Sequence, residues 1–297
     1  MPVSDLNSRQ FGSFWYGGRL SALEQACANS FVSRGYGLTI FSYEPLEGVP
    51  EGVDVAPAAD IVPQDMTRRF LFGGKPHLGH FSDLFRYRMI QKKDLIWVDL
   101  DMLMLARPPH PLAGDIVVKE EQGGVNGAIL YLSEPDLIEQ LIADVTTRMD
   151  RNLRWGETGP LALGKLVARN PGRIALSAPT LFYPLEHYDI FKVFLPEYRA
   201  ECREKCAGAS MLHLFNNILV KMGYWKDMAP PVGSALYDAI AQTDGLKFFK
   251  DIYPADVMRN VITNYRLRLN GGDLGIKGVI RQAIPSIRRT YLTYRPA

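Results

Sequence analysis

The amino-acid sequence predicts an α/β fold in which a mixed, mostly parallel sheet is flanked by helices. Segments with strand and helix patterns alternate from residue 11 to residue 168. Several connections between them are too short for helical crossovers, which favours a mixed sheet over a purely parallel one. No shift in composition occurs before about residue 230. We therefore predict one α/β domain over 1–230 and a helical, basic extension over 231–297.

The first unit has the pattern strand, helix, strand. Residues 11–16 are rich in aromatic side chains and end at Gly17-Gly18, which predicts a strand and a tight turn. A helical spacing follows, carried by Leu20, Leu23, Cys27 and Phe31. A second strand is predicted over 38–43. The strands of such a unit usually run parallel and ligands collect at their carboxyl ends, so Trp15, Gly17 and Gly18 are candidate binding residues.

The remaining elements continue this alternation. Residues 44–63 are rich in glycine, proline and acidic residues, which predicts a surface connection. A helix over 78–91 leads into a short buried strand over 95–98. Further strands are predicted over 115–119 and 128–132, and further helices over 134–150 and 159–168.

The composition is that of a globular protein. The 297 residues include 34 basic and 32 acidic side chains, a net charge of +2, and 47% are hydrophobic, which excludes intrinsic disorder and argues against bulk nucleic-acid binding. Three cysteines are too few for a disulfide framework and indicate a reducing compartment. Cys202 and Cys206 are interpreted as ordinary helix residues. With a polar start and no long apolar segment, the chain is expected to be cytoplasmic.

The charge is distributed unevenly along the chain. Residues 259–297 carry a net charge of +7, whereas the rest carries −5. Apolar residues alternate with the arginines of this segment, which is typical of peripheral contact with an anionic membrane at its inner face. A basic face that packs on the acidic body of the same chain explains the pattern equally well.

Two carboxylates follow the strand over 95–98. Asp99 and Asp101 are two positions apart, so in an extended segment both project to the same side. A divalent cation such as Mn²⁺ or Mg²⁺ prefers oxygen ligands of this kind and would neutralise a diphosphate leaving group. The alternative is a solvated turn, but unpaired carboxylates at a buried strand end are costly unless a cation compensates them.

The preceding helix and the first strand supply further candidates. Asp83 and Arg86 are three positions apart, so one interpretation is a simple ion pair. The other is a binding site in which Asp83 accepts hydrogen bonds from sugar hydroxyls and Arg86 contacts the sugar or its phosphate. Trp15 is either a core residue or a surface on which a nucleobase stacks while glycine amides approach the ligand.

Six segments together resemble a known family. They are WYGG at 15–18, SDLFRY at 82–87, LIWVDLD at 95–101, NGAILYL at 126–132, ETGPLAL at 157–163 and MLHLFNN at 211–217. Their order and spacing resemble the sugar transferases that contain a DXD motif. That group includes initiating mannosyltransferases, globo-series galactosyltransferases, bacterial capsule and lipopolysaccharide transferases, and the catalytic domains of clostridial glucosylating toxins.

The resemblance implies a GT-A-like fold, a UDP- or GDP-sugar donor, a divalent metal and retention of anomeric configuration. It also implies roles for single residues. Trp15 would stack on the base, Asp83, Arg86 and Tyr87 would bind the donor, Asp99 and Asp101 would bind ribose, sugar and metal, Asn126 would lie near the donor sugar, and His213 would complete the metal shell or touch the diphosphate.

Two segments of the chain depart from this pattern. Lys92-Lys93-Asp94 replaces the pair of glycines that many family members have before the aspartate strand, and Leu214-Phe215 follows His213 where a tryptophan is common. Glu157 is interpreted either as a helix cap or as a catalytic residue that contacts the acceptor or the reacting sugar.

These observations predict a metal-dependent, retaining glycosyltransferase that adds one sugar to a glycan or lipid-linked acceptor in bacterial surface polysaccharide synthesis. A metal-dependent nucleotidyltransferase is an alternative, although the sequence lacks the glycine-rich, lysine-bearing phosphate loop that such an enzyme typically uses. A non-catalytic protein that binds nucleotide sugars on the same scaffold is the other alternative.

Overall fold

The computed structural model describes residues 10–108, 112, 114–120 and 123–269. In chain order, its strands are β1 (Phe11–Trp15), β2 (Leu38–Ser42), β3 (Asp54–Pro57), β4 (Leu71–Phe72), β5 (Lys75–Pro76), β6 (Ile96–Val98), β7 (Met102–Met104), β8 (Ile116–Lys119), β9 (Val125–Tyr131), β10 (Leu176–Ser177), β11 (Met211–His213), β12 (Met228–Ala229) and β13 (Asp251–Ile252). Its α-helices are α1 (Ala22–Val32), α2 (Leu78–Lys93), α3 (Pro135–Thr146), α4 (Pro160–Arg169), α5 (Pro179–Phe182), α6 (Arg199–Lys205), α7 (Asn216–Met222), α8 (Ala235–Ala241) and α9 (Ala255–Leu269).

Seven of these strands form one sheet in the order β10-β8-β9-β6-β1-β2-β3. The pairs β6-β1, β1-β2, β2-β3 and β10-β8 are parallel, whereas β9 runs antiparallel to both of its neighbours. Helices flank the sheet. The predicted fold class, a mixed and mostly parallel sheet with flanking helices, is therefore confirmed.

The centre of the sheet brings two candidate segments together. β1 lies between β2 and β6 and runs parallel to both, with Phe11 opposite Leu38 on one side and Ile96 on the other. Because the carboxyl ends of parallel strands meet at one edge of a sheet, Trp15 and the residues after Val98 reach the same edge.

Helix α2 precedes β6 and packs on β1. Its Phe81, Leu84 and Phe85 are buried, and the rings of Phe85 and Phe14 stack with centroids 4.4 Å apart. Leu78, the first residue of the helix, is 41% exposed because it lies at the surface. The turn from α2 to β6 thus fixes where Asp83, Arg86 and Asp99 stand relative to one another.

The apolar interior has two parts that share α1. Ala28 and Phe31 of α1 join the core around the large sheet, whereas Leu23 and Cys27 join a second core. The second core is formed mainly by residues from Leu185 to Tyr265. The described part of the C-terminal extension therefore packs on the preceding chain through buried apolar contacts.

The prediction for residues 44–63 was wrong in part. Asp54–Pro57 forms the edge strand β3, which pairs in parallel with β2. Exposed acidic side chains and a terminal proline are tolerated at a sheet edge, because one side of an edge strand needs no ladder partner. The composition therefore looked like that of a loop although the backbone is extended and paired.

The arginines of the described basic segment contact the chain itself. Arg259 bonds to Glu197, the guanidinium of Arg266 lies 4.9 Å from the ring centroid of Phe191, and Arg268 donates to the carbonyl of Lys221. Residues 270–297 of the predicted membrane-contacting segment lie outside the described residues. Within 10–269, no described helix has both the length and the apolar character needed to cross a bilayer.

The cysteines are free thiols. Cys202 is buried on α6, and Cys206 is the residue that ends this helix, so both are helix residues as expected. Burial raises the pKa of the Cys206 thiol to about 11, which keeps it in the unreactive protonated form at neutral pH.

Candidate active site

A cavity of about 1210 Å³ opens at the carboxyl ends of β1 and β6. Its wall includes six of the residues selected from the sequence, namely Trp15, Arg86, Asp99, Asp101, Asn126 and His213. These residues come from β1, α2, the segment after β6, β9 and β11, so the fold brings side chains from most of the chain to one place.

A three-residue group lies on this wall. Strand β11 pairs antiparallel with β7, and this register sets His213 opposite Met102, the residue after Asp101. The Nε2 atom of His213 is 3.4 Å from Oδ2 of Asp101. Ligand atoms of Asp99, Asp101 and His213 all lie within 4.8 Å of one another.

Backbone hydrogen bonds hold the two aspartates in place. The amide of Asp99 donates to the carbonyl of Ala128 at 2.7 Å, and the amide of Leu214 donates to the carbonyl of Asp101 at 2.9 Å. Phe215 has a left-handed backbone with φ of 53°, and the next amide, that of Asn216, donates to Oδ2 of Asp101 at 2.5 Å. A strained backbone of this kind is typical of functional sites.

The two aspartates differ in their readiness to ionise. Burial raises the pKa of Asp99, and the adjacent Arg86 offsets this only in part. Burial acts in the same direction on Asp101, but the charge and hydrogen bond of His213 and the amide of Asn216 hold the pKa of Asp101 below its usual range.

Arg86 connects the helix to the aspartate segment. Its guanidinium bonds to Oδ1 of Asp83 and to Oδ1 of Asp99, each at 3.0 Å, although its side chain is only 8% exposed. The indole nitrogen of Trp97 donates to the same Asp99 oxygen at 2.7 Å. The guanidinium carbon of Arg86 lies over the Trp97 ring, 4.9 Å from its centroid. Two carboxylates and an aromatic face thus compensate one buried cation.

A second buried chain of hydrogen bonds fixes Asp83. The hydroxyl of Thr158 donates to Oδ2 of Asp83 at 2.8 Å and lies 2.6 Å from Nδ1 of His80. The phenol of Tyr87 donates to the carbonyl of Thr158 at 2.9 Å. Asp83 and Tyr87 are not among the residues that line the cavity, so they support its wall from behind.

Burial shifts the pKa of both ionisable groups in this chain. It raises the pKa of Asp83 to about 6, against the lowering effect of Arg86 and the Thr158 hydroxyl. It lowers the pKa of His80 to about 4, and the neighbouring His77 adds to this effect. His80 is therefore neutral at pH 7, and its Nε2 atom is buried with no hydrogen-bond partner among the described residues.

Two glycines leave room for this network. A Cβ atom on Gly127 would lie 2.5 Å from Nη1 of Arg86, and one on Gly159 would lie 2.8 Å from both carboxylate oxygens of Asp83. Any other residue at these positions would displace one member of the Arg86–Asp83 pair.

The predicted base-binding segment occupies one end of the cavity. The ring of Trp15 is partly exposed, and its indole nitrogen donates to the carbonyl of Arg19 at 3.1 Å, which fixes the ring against the turn. Gly17 has φ of 127° within this turn. Gly17 and Gly18 themselves do not line the cavity.

Asn126 has its hydrogen-bonding groups engaged on the cavity wall. Its amide nitrogen donates to Oε1 of Glu120 at 2.7 Å, and its oxygen accepts from the amide of Ala128 at 2.8 Å. Glu120, which lies on the same wall, is therefore a cavity residue that the sequence did not single out.

Glu157 lies outside the cavity wall. Its carboxylate accepts hydrogen bonds from Arg148, Arg151 and the amide of Arg154, and these bonds lower its pKa. These contacts close the loop before α4, but α4 follows Gly159 without a side-chain cap, so the helix-cap interpretation was wrong and the catalytic role stays a prediction.

Several supporting residues were missed, and all of them except His80 left some signal in the sequence. Trp97 lies two positions before Asp99, so strand alternation places both side chains on one side. Thr158, Gly159 and Gly127 fall within the segments quoted for the family resemblance. His80 left no signal, because its partner Thr158 is distant in sequence.

The donor set fits a divalent cation. Two carboxylates and one imidazole converge, and the oxygen Oδ2 of Asp99 receives no hydrogen bond from the described residues, whereas Oδ1 receives two. The Nδ1 atom of His213 is buried, also without a described partner. Carboxylate oxygens suit Mn²⁺ and Mg²⁺, and imidazole is the more usual ligand of transition metals.

Comparisons with known proteins complete this description. No protein-family model matches the chain, and no curated protein matches its sequence. Among solved structures, the chain is similar to one described as "PaToxG Glycosyltransferase", with 10% sequence identity over 79% of this chain and 87% of that chain and a TM-score of 0.40. The function proposed below therefore rests on the cavity and its residues.

Proposed function

We propose that this protein is a glycosyltransferase that transfers one sugar from a UDP- or GDP-sugar to a glycan or lipid-linked acceptor with retention of configuration. The observation that carries the proposal is the convergence of Asp99, Asp101 and His213 with the buried Arg86 on the wall of one cavity. The cavity volume of about 1210 Å³ exceeds that of a typical ligand site, roughly 300–1,000 Å³, and leaves space for two substrates.

The donor would span the cavity from Trp15 to Arg86. Trp15 offers a partly exposed ring, fixed through its indole nitrogen, on which a nucleobase can stack. Arg86 would contact the sugar or phosphate, and Asp83 would hold that guanidinium in its orientation. Tyr87 donates a hydrogen bond to the carbonyl of Thr158. It would therefore position Thr158 and would not contact the donor directly.

Asp99, Asp101 and His213 would hold Mn²⁺ or Mg²⁺. When bound, such an ion neutralises negative charge on the departing nucleoside diphosphate. The chain's own contribution is to keep the three ligands converged, through the β7–β11 pairing and the amides of Leu214 and Asn216. A wider role in bacterial surface polysaccharide synthesis rests on the segment resemblance alone.

Donor hydrolysis tests the metal assignment. In a panel of UDP- and GDP-sugars with Mn²⁺, we expect Asp101→Asn to lose about 100-fold or more of the activity, because one metal ligand is removed. Asp54→Asn on the exposed edge strand is the matched control and should retain wild-type activity. Undiminished turnover by Asp101→Asn would show that no essential metal is bound there.

Binding and stereochemistry test the remaining parts. We expect UDP or GDP to raise the melting temperature only when Mn²⁺ is present, because the cation would neutralise the charge of the diphosphate at this site. A ligand at about 100 times its Kd stabilises the folded state by roughly 2.7 kcal/mol. The anomeric configuration of the product, read by NMR, tests retention. Tight donor binding with no turnover of any donor would identify a binding protein instead of an enzyme.

A further inference from the structure

An exposed tryptophan that the proposed donor site does not use lies on the cavity wall. Trp155 precedes α4 and is 62% exposed, although its ring is large and apolar. Phe72 and His77 contact this ring edge-on, with centroids 6.4 and 6.2 Å away and interplanar angles of 70° and 80°. The ring is thus held in place while most of it stays accessible, as is usual for an aromatic ligand-binding surface.

Two cations on the same wall lack a carboxylate partner among the residues that the structure describes. Of the four Lys and Arg side chains that line the cavity, Arg86 bonds to Asp83 and Asp99, and Lys192 bonds to Asp189 and Glu201. The other two are Lys221 and Arg266. They lie instead against aromatic rings, Lys221 6.0 Å from the centroid of Trp155 and Arg266 4.9 Å from that of Phe191.

The two cations lie on neighbouring helices. Lys221 is on α7 and Arg266 on α9, and Arg268 of α9 donates to the carbonyl of Lys221 at 3.0 Å. This bond ties α9 to α7 next to the cavity. The fold, and not a local sequence pattern, therefore brings both charges to the cavity wall, with Lys221 directly beside the tryptophan.

We propose that Trp155, Lys221 and Arg266 bind the acceptor, and that the acceptor is a saccharide that carries an anionic group. The apolar face of a pyranose ring packs on an aromatic side chain, and a carboxylate or phosphate accepts charge-assisted hydrogen bonds from Lys and Arg. The proposal rests on the proposed function, because that function already assigns Trp15 and the metal ligands to the donor.

Calorimetric titration without donor tests this site. The probes are cellobiose, cellobiose 1-phosphate, glucuronosyl-glucose and the uncharged methyl ester of glucuronosyl-glucose. We expect at least one anionic disaccharide to bind about tenfold more tightly than its neutral counterpart. The phosphate arm represents a lipid-linked acceptor and the carboxylate arm a uronic acid, so the arm that binds more tightly identifies the source of the charge.

Variants separate the stacking surface from the charges. Lys221→Gln and Arg266→Gln should each reduce the preference for the anionic probe, whereas Trp155→Ala should weaken charged and neutral probes alike. Trp225→Ala and Lys250→Gln are matched controls, since Trp225 is 60% exposed, Lys250 is exposed and neither lines the cavity. Equal affinity for charged and neutral probes, no binding at all, or an equal loss in the controls would overturn the proposal.

This result is independent of donor turnover. If the wild type hydrolyses a nucleotide sugar but binds none of the four probes, the acceptor proposal fails and the proposed function stands. If it binds an anionic disaccharide through Trp155 and Lys221 but hydrolyses no donor, the saccharide site is supported and the proposed function fails.

Discussion

At the scale of single residues, the site depends on buried charge that is compensated by geometry. Arg86 is buried between Asp83 and Asp99, and its replacement by a shorter or differently shaped cation would leave one carboxylate unpaired. Behind it, Thr158 joins Asp83 to His80. The orientation of the cavity wall thus depends on residues that do not line the cavity.

His80 makes this arrangement sensitive to pH. Burial lowers its pKa from 6.5 to about 4, so the folded protein binds fewer protons than the unfolded chain between these values. Above pH 6.5, His80 therefore does not reduce the free energy of unfolding. As the pH falls below 6.5, it destabilises the folded state progressively. Asp83 acts in the opposite direction, because burial raises its pKa from 3.8 to about 6. Its protonation stabilises the folded protein as the pH falls below about 6.

We expect His80→Gln to reduce the loss of stability at acid pH. Between about pH 7.5 and about pH 5, the difference in unfolding free energy between wild type and variant should change by about 2 kcal/mol, the part of the His80 shift that falls in this interval. Urea unfolding at both pH values measures it. His187→Gln, at a half-exposed histidine, is the control, and an identical pH dependence in wild type and His80→Gln would contradict the buried neutral state.

At the scale of elements, the end of α2 sets the position of the aspartate strand. The sequence has Lys92-Lys93-Asp94 where the resembled family has glycines, which left the geometry of this turn uncertain. Asp94 takes the left-handed conformation, with φ of 54°, and its carboxylate accepts a hydrogen bond from Tyr131. An aspartate tolerates this conformation better than most residues, so the turn forms without glycine.

Two substitutions at Asp94 isolate the backbone effect. Both Asp94→Gly and Asp94→Ala remove the bond to Tyr131, but only alanine keeps the cost of the left-handed conformation. We expect Asp94→Ala to be less stable than Asp94→Gly by about 1–2 kcal/mol. Denaturant unfolding measures the difference, and equal stabilities would mean that the turn relaxes to another conformation.

Strand β9 and helix α4 offer a matched pair of glycines. Gly127→Ala would push a Cβ atom against Arg86, and we expect an activity loss of about 10- to 100-fold from its displacement. Gly164→Ala in α4 meets no atom within 4 Å, so it should keep full activity and raise the unfolding free energy by up to about 1 kcal/mol. Donor hydrolysis and urea unfolding test both variants, and full activity in Gly127→Ala would show that Arg86 can shift without effect.

At the scale of the whole molecule, a near-zero net charge conceals two unlike parts. The acidic body carries the carboxylates of the cavity, and the basic segment begins on α9, whose Arg266 reaches the same cavity. The described arginines of α9 contact the chain itself, which accounts for three of the eight basic residues in this segment. The predicted peripheral membrane contact would therefore depend on the basic residues from Lys277 onward, which lie outside the described residues.

Vesicle sedimentation tests that contact. We expect the protein to bind vesicles with anionic lipids at low salt and to dissociate at high salt, because each basic residue near such a surface contributes about 1 kcal/mol that salt screens. Lys277→Gln combined with Arg281→Gln should weaken the binding, and Lys250→Gln is the control. Equal sedimentation with neutral and anionic vesicles would contradict an electrostatic contact.

Local periodicity and short spacings were sufficient to predict the α/β fold class and the parallel first unit, and to select Asp83, Arg86, Asp99 and Asp101 as candidate residues. They did not predict the edge strand β3, whose composition is that of a loop. The tertiary structure was needed to show that His213 meets Asp101, that Thr158 joins Asp83 to His80, and that Lys221 lies beside Trp155 on a cavity wall that also includes Arg266. These contacts depend on strand register and helix packing between segments far apart in the chain, and no local pattern encodes such distances.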